Sequence, residues 1–170
     1  MRVKLLLLLP LLIGQQYLFA QFTSAKLQAT GLTCALCSNA INKSLEELPF
    51  VESVKSNLKE SAFVIQFKLG SSFRPDMISS AVEDAGFFVG ELVLTGEFTS
   101  VPISANGLFE WDGNSYHLLG ASELQLNGKV NLKLAEKKFL TEKAFKKISS
   151  QVHENCAVSG QRIYHVQFVN

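Results

Sequence analysis

The strongest constraint on the fold lies in residues 31–48, Gly-Leu-Thr-Cys-Ala-Leu-Cys-Ser-Asn-Ala-Ile-Asn-Lys-Ser-Leu-Glu-Glu-Leu. Cys37, Ile41, Leu45 and Leu48 recur at spacings of four, four and three, the repeat of one helix face. Gly31 leads a loop into this helix, so Cys34 falls in the loop and Cys37 in the first turn. A helix N-terminus offers free N–H groups and positive partial charge, which favour thiolate over thiol. Two sulfurs held there can bind a soft metal ion or close into a disulfide.

The surrounding periodicities predict six elements. In residues 22–30, Ala25, Leu27 and Ala29 alternate with Lys26, Gln28 and Thr30, a half-buried strand. The cysteine helix follows and Pro49 stops it. Residues 51–58 carry Val51, Val54 and Leu58 and read as a second strand, residues 57–60 as a turn. Residues 62–67 are rich in β-branched and aromatic side chains and form a third strand. Pro75 suits the first turn of a second helix with Ile78, Ala81, Val82 and Ala85 on one face; Gly86 ends it. Residues 87–94 are the fourth strand. Strand, helix, strand, strand, helix, strand is the ferredoxin-like βαββαβ order, here over residues 22–96.

From Glu97 the texture changes. Asn106-Gly107, Asp112-Gly113 and Asn127-Gly128 are two-residue turn signals. They punctuate short apolar runs at residues 101–104, 108–111, 116–119, 124–126 and 130–134, which predicts a β-meander. Trp111 and Tyr116 flank one turn and are expected to pack across its hairpin. A helix is expected over 141–152, and a last strand over 162–169. The expected fold class is therefore α+β, a ferredoxin-like domain at 22–96 followed by a small β-rich α+β domain at 98–170.

Residues 1–20 precede both domains. A basic start, an apolar run at 5–13 and a small residue at Ala20 read as a signal peptide cut after Ala20. Leu18 fits the −3 position poorly, and an uncleaved N-terminal anchor is the alternative. Export implies an oxidising compartment, and a bacterial periplasm suits a chain without a disulfide framework. Three cysteines are one pair plus Cys156. The net charge is +1, divided as six Lys and Arg against nine Asp and Glu in 22–97, and eight against six in 98–170. This unevenness could dock the two domains or steer a basic partner, with ordinary solvated surface the plainer reading. The lysines lack interleaved exposed aromatics, which argues against nucleic acid.

Residues 25–95 resemble the heavy-metal-associated domain of copper chaperones and metal-transport ATPases. The resemblance rests on Gly31-Leu-Thr-Cys-Ala-Leu-Cys37, the helix to Leu48, Val51-Glu-Ser-Val54, and Ile78 through Asp84-Ala-Gly-Phe87. It implies that Cys34 and Cys37 bind Cu(I) in a near-linear, exposed geometry, with Ag(I) or Zn(II) behind it. Leu32 stands where the family usually has Met, beneath the loop. Thr33 stands where zinc-selective relatives carry Asp, and a neutral residue there favours a monovalent ion. Phe87 takes the place of an aromatic or lysine close to the metal loop, the arrangement of transporter-type domains.

The implied function is capture and hand-over of Cu(I) outside the cytoplasm, with a protein partner for transfer and no membrane contact after signal removal. Two alternatives stand beside it: a structural or interaction protein with an oxidised, metal-free pair, and a thiol–disulfide oxidoreductase. Against the last, the pair comes before any βαβ unit, and Ala35-Leu36 lacks the Gly-Pro of thioredoxin-like motifs. His153-x-x-Cys156 could be half of a second metal site, with a free buried cysteine beside a surface histidine as the plainer reading, or Cys156 could cross-link two molecules. His117 and His165 read as sheet residues rather than ligands. No catalytic constellation emerges, so no enzyme activity is expected.

Overall fold

The computed structural model describes residues 21–32, 34–120, 125–152, 157–158 and 161–169. Residues 1–20, Thr33, His153 and Cys156, for which the sequence raises expectations, lie outside the described residues.

The first half follows the expected order: β1 Phe22–Thr30, α1 Ala35–Glu46, β2 Val51–Asn57, β3 Ala62–Phe67, α2 Pro75–Asp84 and β4 Phe88–Pro102. The four strands run β2-β3-β1-β4, each antiparallel to its neighbour. Leu27 lies opposite Phe63 on one side and Leu92 on the other. Alternation then sends Ala25, Leu27 and Ala29 inward and Lys26 and Gln28 outward. Both helices press on the apolar face, with Ile41 and Leu45 from α1 and Ile78 and Val82 from α2 all at 0% exposure. The Ser44 hydroxyl donates to the Ala81 carbonyl at 2.7 Å and joins the two helices.

β4 is much longer than the run at 87–94 predicts. It passes through residue 97 without interruption, and its second half pairs with β7 Gln125–Leu134. β5 Leu108–Trp111 and β6 Asn114–Leu118 form a hairpin; α3 Glu142–Ile148, β8 Ala157–Val158 and β9 Gln161–Val169 complete the chain. The sheet is continuous in the order β2-β3-β1-β4-β7-β9-β6-β5, with β8 on β9. The meander is therefore corrected. β9 inserts between β7 and β6 and runs parallel to β6, a non-local pairing invisible to turn signals.

The Asn127-Gly128 turn is corrected too. These residues lie inside β7, where Gly128 has φ +70°. Opposite them β4 is bulged between Phe98 and Val101, and Ser100 has φ +51°. The Asn127 side-chain carbonyl accepts the Ser100 N–H at 2.8 Å. Asn-Gly supplied left-handed backbone for a bulge rather than for a hairpin. The helix expected over 141–152 stops at Ile148 and tightens into a 3₁₀ turn, Ser149–Gln151.

An aromatic cluster joins the two halves. Phe22, fully buried, meets Phe73, Phe98 and Tyr116 edge-on at 6.1, 6.0 and 5.6 Å. Tyr116 stacks on Phe109, its partner across the hairpin, while Trp111 stacks on Phe98 at 4.1 Å. The expected Trp111–Tyr116 packing is thus replaced, because each residue faces the partner its register dictates. Polar ties cross the same seam. Tyr164 donates to Asp76 at 2.8 Å, Arg162 pairs with Asp76 at 3.0 Å, and Asn114 donates to the Phe73 carbonyl at 2.9 Å.

Asp112 sits at the tip of the β5–β6 hairpin with φ +51° and accepts the Phe22 N–H at 3.1 Å. Burial pushes its pKa up to about 6, only partly opposed by that N–H. A carboxyl whose folded pKa lies above its unfolded one loses stability as pH rises between the two values. Unfolding measured from pH 4 to 7.5 should show this loss, and Asp112→Asn should flatten it. Asparagine keeps an acceptor for Phe22 and tolerates the left-handed turn, so the variant should be the more stable protein at pH 7.5. An unchanged pH profile would remove Asp112 from the account.

Candidate metal-binding site

Cys34 caps α1 in extended conformation, φ −151° and ψ 159°, and its sulfur accepts the Cys37 N–H at 3.3 Å. Cys37 is thereby the third residue of the helix, as its spacing to Ile41 and Leu45 requires. The Cα atoms of the two cysteines are 5.4 Å apart and their sulfurs are joined as a disulfide. Cys34 is exposed and Cys37 half-buried. The structure brings both cysteines to one rim, where the helix N-terminus stabilises negative charge on sulfur once the pair is reduced.

The supporting residues fall where the sequence puts them. Leu32 and Phe87 pack against the core from beside the loop. A Cβ on Gly31 would lie 3.9 Å from the Phe87 ring, so this ring flanks the start of the cysteine loop. A cavity of about 240 Å³ opens beside Cys34, lined by Leu32, Ala35, Ser38, Leu58 and Ser61.

The sequence reading missed the apolar rim. Leu36 is 79% exposed between the cysteines, and Leu58, expected inside a strand, is 58% exposed against the Cys34 cavity. A signal was available: Val51, Val54 and Leu58 are spaced by three and four, which no strand alternation accommodates. Phe88, at the start of β4 opposite Thr30, is 70% exposed. Among the described residues, no three His, Cys, Asp or Glu side chains converge to hold a metal ion. Nor is any helix among them long and apolar enough to cross a membrane.

Residues 26–88 match the family profile described as the heavy-metal-associated domain. Solved structures share this region. A solution structure from Bacillus anthracis is 33% identical, covering 41% of this chain and 97% of its own, with a TM-score of 0.37. The yeast copper transporter domain CCC2A is 27% identical over 39% of this chain and 90% of its own, TM-score 0.35. CopP from Helicobacter pylori is 27% identical over 39% and 97%, TM-score 0.34. No curated protein matches the chain. Through residues 26–88, the chain belongs to the heavy-metal-associated domain family.

Proposed function

We propose that this protein captures and hands over Cu(I) through Cys34 and Cys37, outside the cytoplasm. The observation that carries the reading is the meeting of two sulfurs on an exposed loop at the N-terminus of α1. Zn(II) wants four ligands, whereas Cu(I) and Ag(I) accept two soft ones. Several similar structures are of copper proteins by name, which agrees with that preference.

Reduced, the pair presents two thiolates to one ion. A partner thiolate can approach over the exposed Cys34 and form a third metal–sulfur bond as one bond to this chain breaks, and a second partner thiolate then displaces the remaining cysteine and takes the ion. Charge and oxidation state on copper stay constant throughout, so no free ion is released. The exposed Leu36 and Leu58 offer such a partner apolar contact around the sulfurs. Export is supported by the basic and apolar start of the chain, and N-terminal sequencing of protein from its own compartment would give Gln21 as the first residue.

The joined sulfurs favour one second reading, dithiol–disulfide exchange. Copper binding separates the two. The reduced protein should compete with a chelator for Cu(I), and Cys34→Ser or Cys37→Ser should each cost one bound equivalent. Uptake unchanged by both substitutions would sink the copper reading. Rapid cycling of the disulfide with a dithiol, without copper uptake, would establish the alternative.

A further inference from the structure

The hydrogen bond from the Phe22 N–H to Asp112 Oδ2, 3.1 Å long, crosses the seam where β1 begins. The residue before it is fixed as well. Gln21 is 7% exposed and both polar atoms of its side chain are engaged. Its amide nitrogen donates to the Lys68 carbonyl at 3.3 Å, and its Oε1 accepts the Gly70 N–H at 2.7 Å. Standard bond lengths and angles then place the Gln21 backbone nitrogen about 2.5–5.5 Å from Asp112 Oδ2, whatever the ψ angle at Gln21. In the uncut chain that nitrogen belongs to a neutral amide. A chain cut after Ala20 carries an α-ammonium there instead.

Asp112 is suited to receive that charge. The hairpin tip holds it in place with positive φ, and burial disfavours its carboxylate as it stands. Among the described residues no lysine or arginine pairs with it. Its titratable neighbour on β6 is the fully buried Tyr116, whose hydroxyl is pushed well up by burial and by Asp112, and which supplies no cation. From the first half, the Lys68 ammonium is turned to the Pro49 carbonyl at 2.9 Å. Arg74 lines a cavity of about 220 Å³ that Gly113 also borders, in company with Asp76 and Arg162. A half-buried carboxylate left without a cation gains most from an opposite charge within about 4–6 Å, and the Gln21 nitrogen lies in that range.

We propose that removal of residues 1–20 creates an ion pair between the Gln21 α-ammonium and the Asp112 carboxylate, which fastens the new N-terminus to the second half of the sheet. The proposal rests on the export reading, in which the chain is cut after Ala20. In the uncut chain Asp112 costs stability as pH rises toward its folded pKa. In the cut chain the ammonium lowers that folded value and removes most of the loss. The amine's own folded pKa rises above its ordinary value of about 7.7–8.0. Its contribution is therefore fully present below that range and is lost as pH climbs through the folded value. The test compares residues 21–170, released from a fusion so that Gln21 comes first, with the same chain carrying a short Gly-Ser extension ahead of Gln21. Carbon-13 NMR titration of the Asp112 carboxyl should give a midpoint about one pH unit or more lower in the Gln21 chain. Denaturant unfolding at neutral pH should give that chain a folding constant about tenfold larger, and Asp112→Asn should erase the difference. Equal Asp112 midpoints in the two chains would overturn the proposal. So would a stability difference that survives Asp112→Asn, or mass spectrometry showing Gln21 cyclised onto its own amine with loss of ammonia. The first residue is set by the preparation, so these outcomes are independent of where the cell cuts the chain, which N-terminal sequencing of the exported protein decides separately.

Discussion

A chain ended at Glu97 will not fold cooperatively, although it keeps every element of the βαββαβ unit. The physical reason is the seam. Cutting there strips β7 from β4 and leaves that edge with open backbone donors and acceptors. It also removes Phe98 and Tyr116 from the fully buried Phe22, and Trp111, Phe109 and Tyr164 with them. Each large apolar side chain returned to water forfeits about 1.5–3 kcal/mol. Uncovering Phe22, Phe73 and their neighbours therefore uses up much of the ~5–15 kcal/mol by which a domain is stable. Polar losses add to this: the Phe22 N–H loses Asp112, the Phe73 carbonyl loses Asn114, and Asp76 loses Tyr164 and Arg162. Residues 22–97 expressed alone should be aggregated or lack a sharp thermal transition, while residues 22–170 should melt in one step. A soluble fragment with a cooperative transition would show that the first domain is self-sufficient.

The second large effect is at Phe22 itself. Phe22→Ala should cost about 3–5 kcal/mol, the range for emptying a buried aromatic position, and the cost should fall on both halves at once. Phe22 is the first residue of β1 and touches rings from the loop before α2, from β4 and from β6. Denaturant unfolding followed separately by Trp111 fluorescence and by far-UV circular dichroism should give one coincident, displaced midpoint. Two midpoints, with only the Trp111 signal displaced, would mean that the halves unfold independently. Leu36→Ala is the contrasting case. At 79% exposure its stability change should stay within about 0.5 kcal/mol, so any effect on metal transfer would report on partner contact.

The difference between these two residues illustrates how much of the molecule is legible in its sequence. Leu36 and Phe22 are both apolar, and composition does not separate them. Periodicity does so only for Phe22's strand, where Ala25, Leu27 and Ala29 reveal the inward face. Nothing local says that Leu36, one position before Cys37, points to solvent; that follows from how α1, capped by Cys34, sits on the sheet. His165 is a further case. In the sequence it alternates like any strand residue, yet Ile163, Tyr164, His165 and Val166 are all buried, because this strand lies inside the sheet and is covered on both faces.

By itself, the sequence determined the βαββαβ order, the placement of Cys34 in a loop and Cys37 in the first turn of a helix, and the family of residues 26–88. These are short-range matters, decided by repeats of two and 3.6 residues and by glycine and proline at element ends. Tertiary structure alone decided that β4 runs on into the second half, that β9 inserts parallel to β6, that an Asn-Gly pair serves a bulge, and that His117 meets His165. Each of these depends on which distant strand becomes a neighbour, and backbone hydrogen bonds are indifferent to side-chain identity. The choice is made by burial across the whole sheet, an energy that no local window of residues contains.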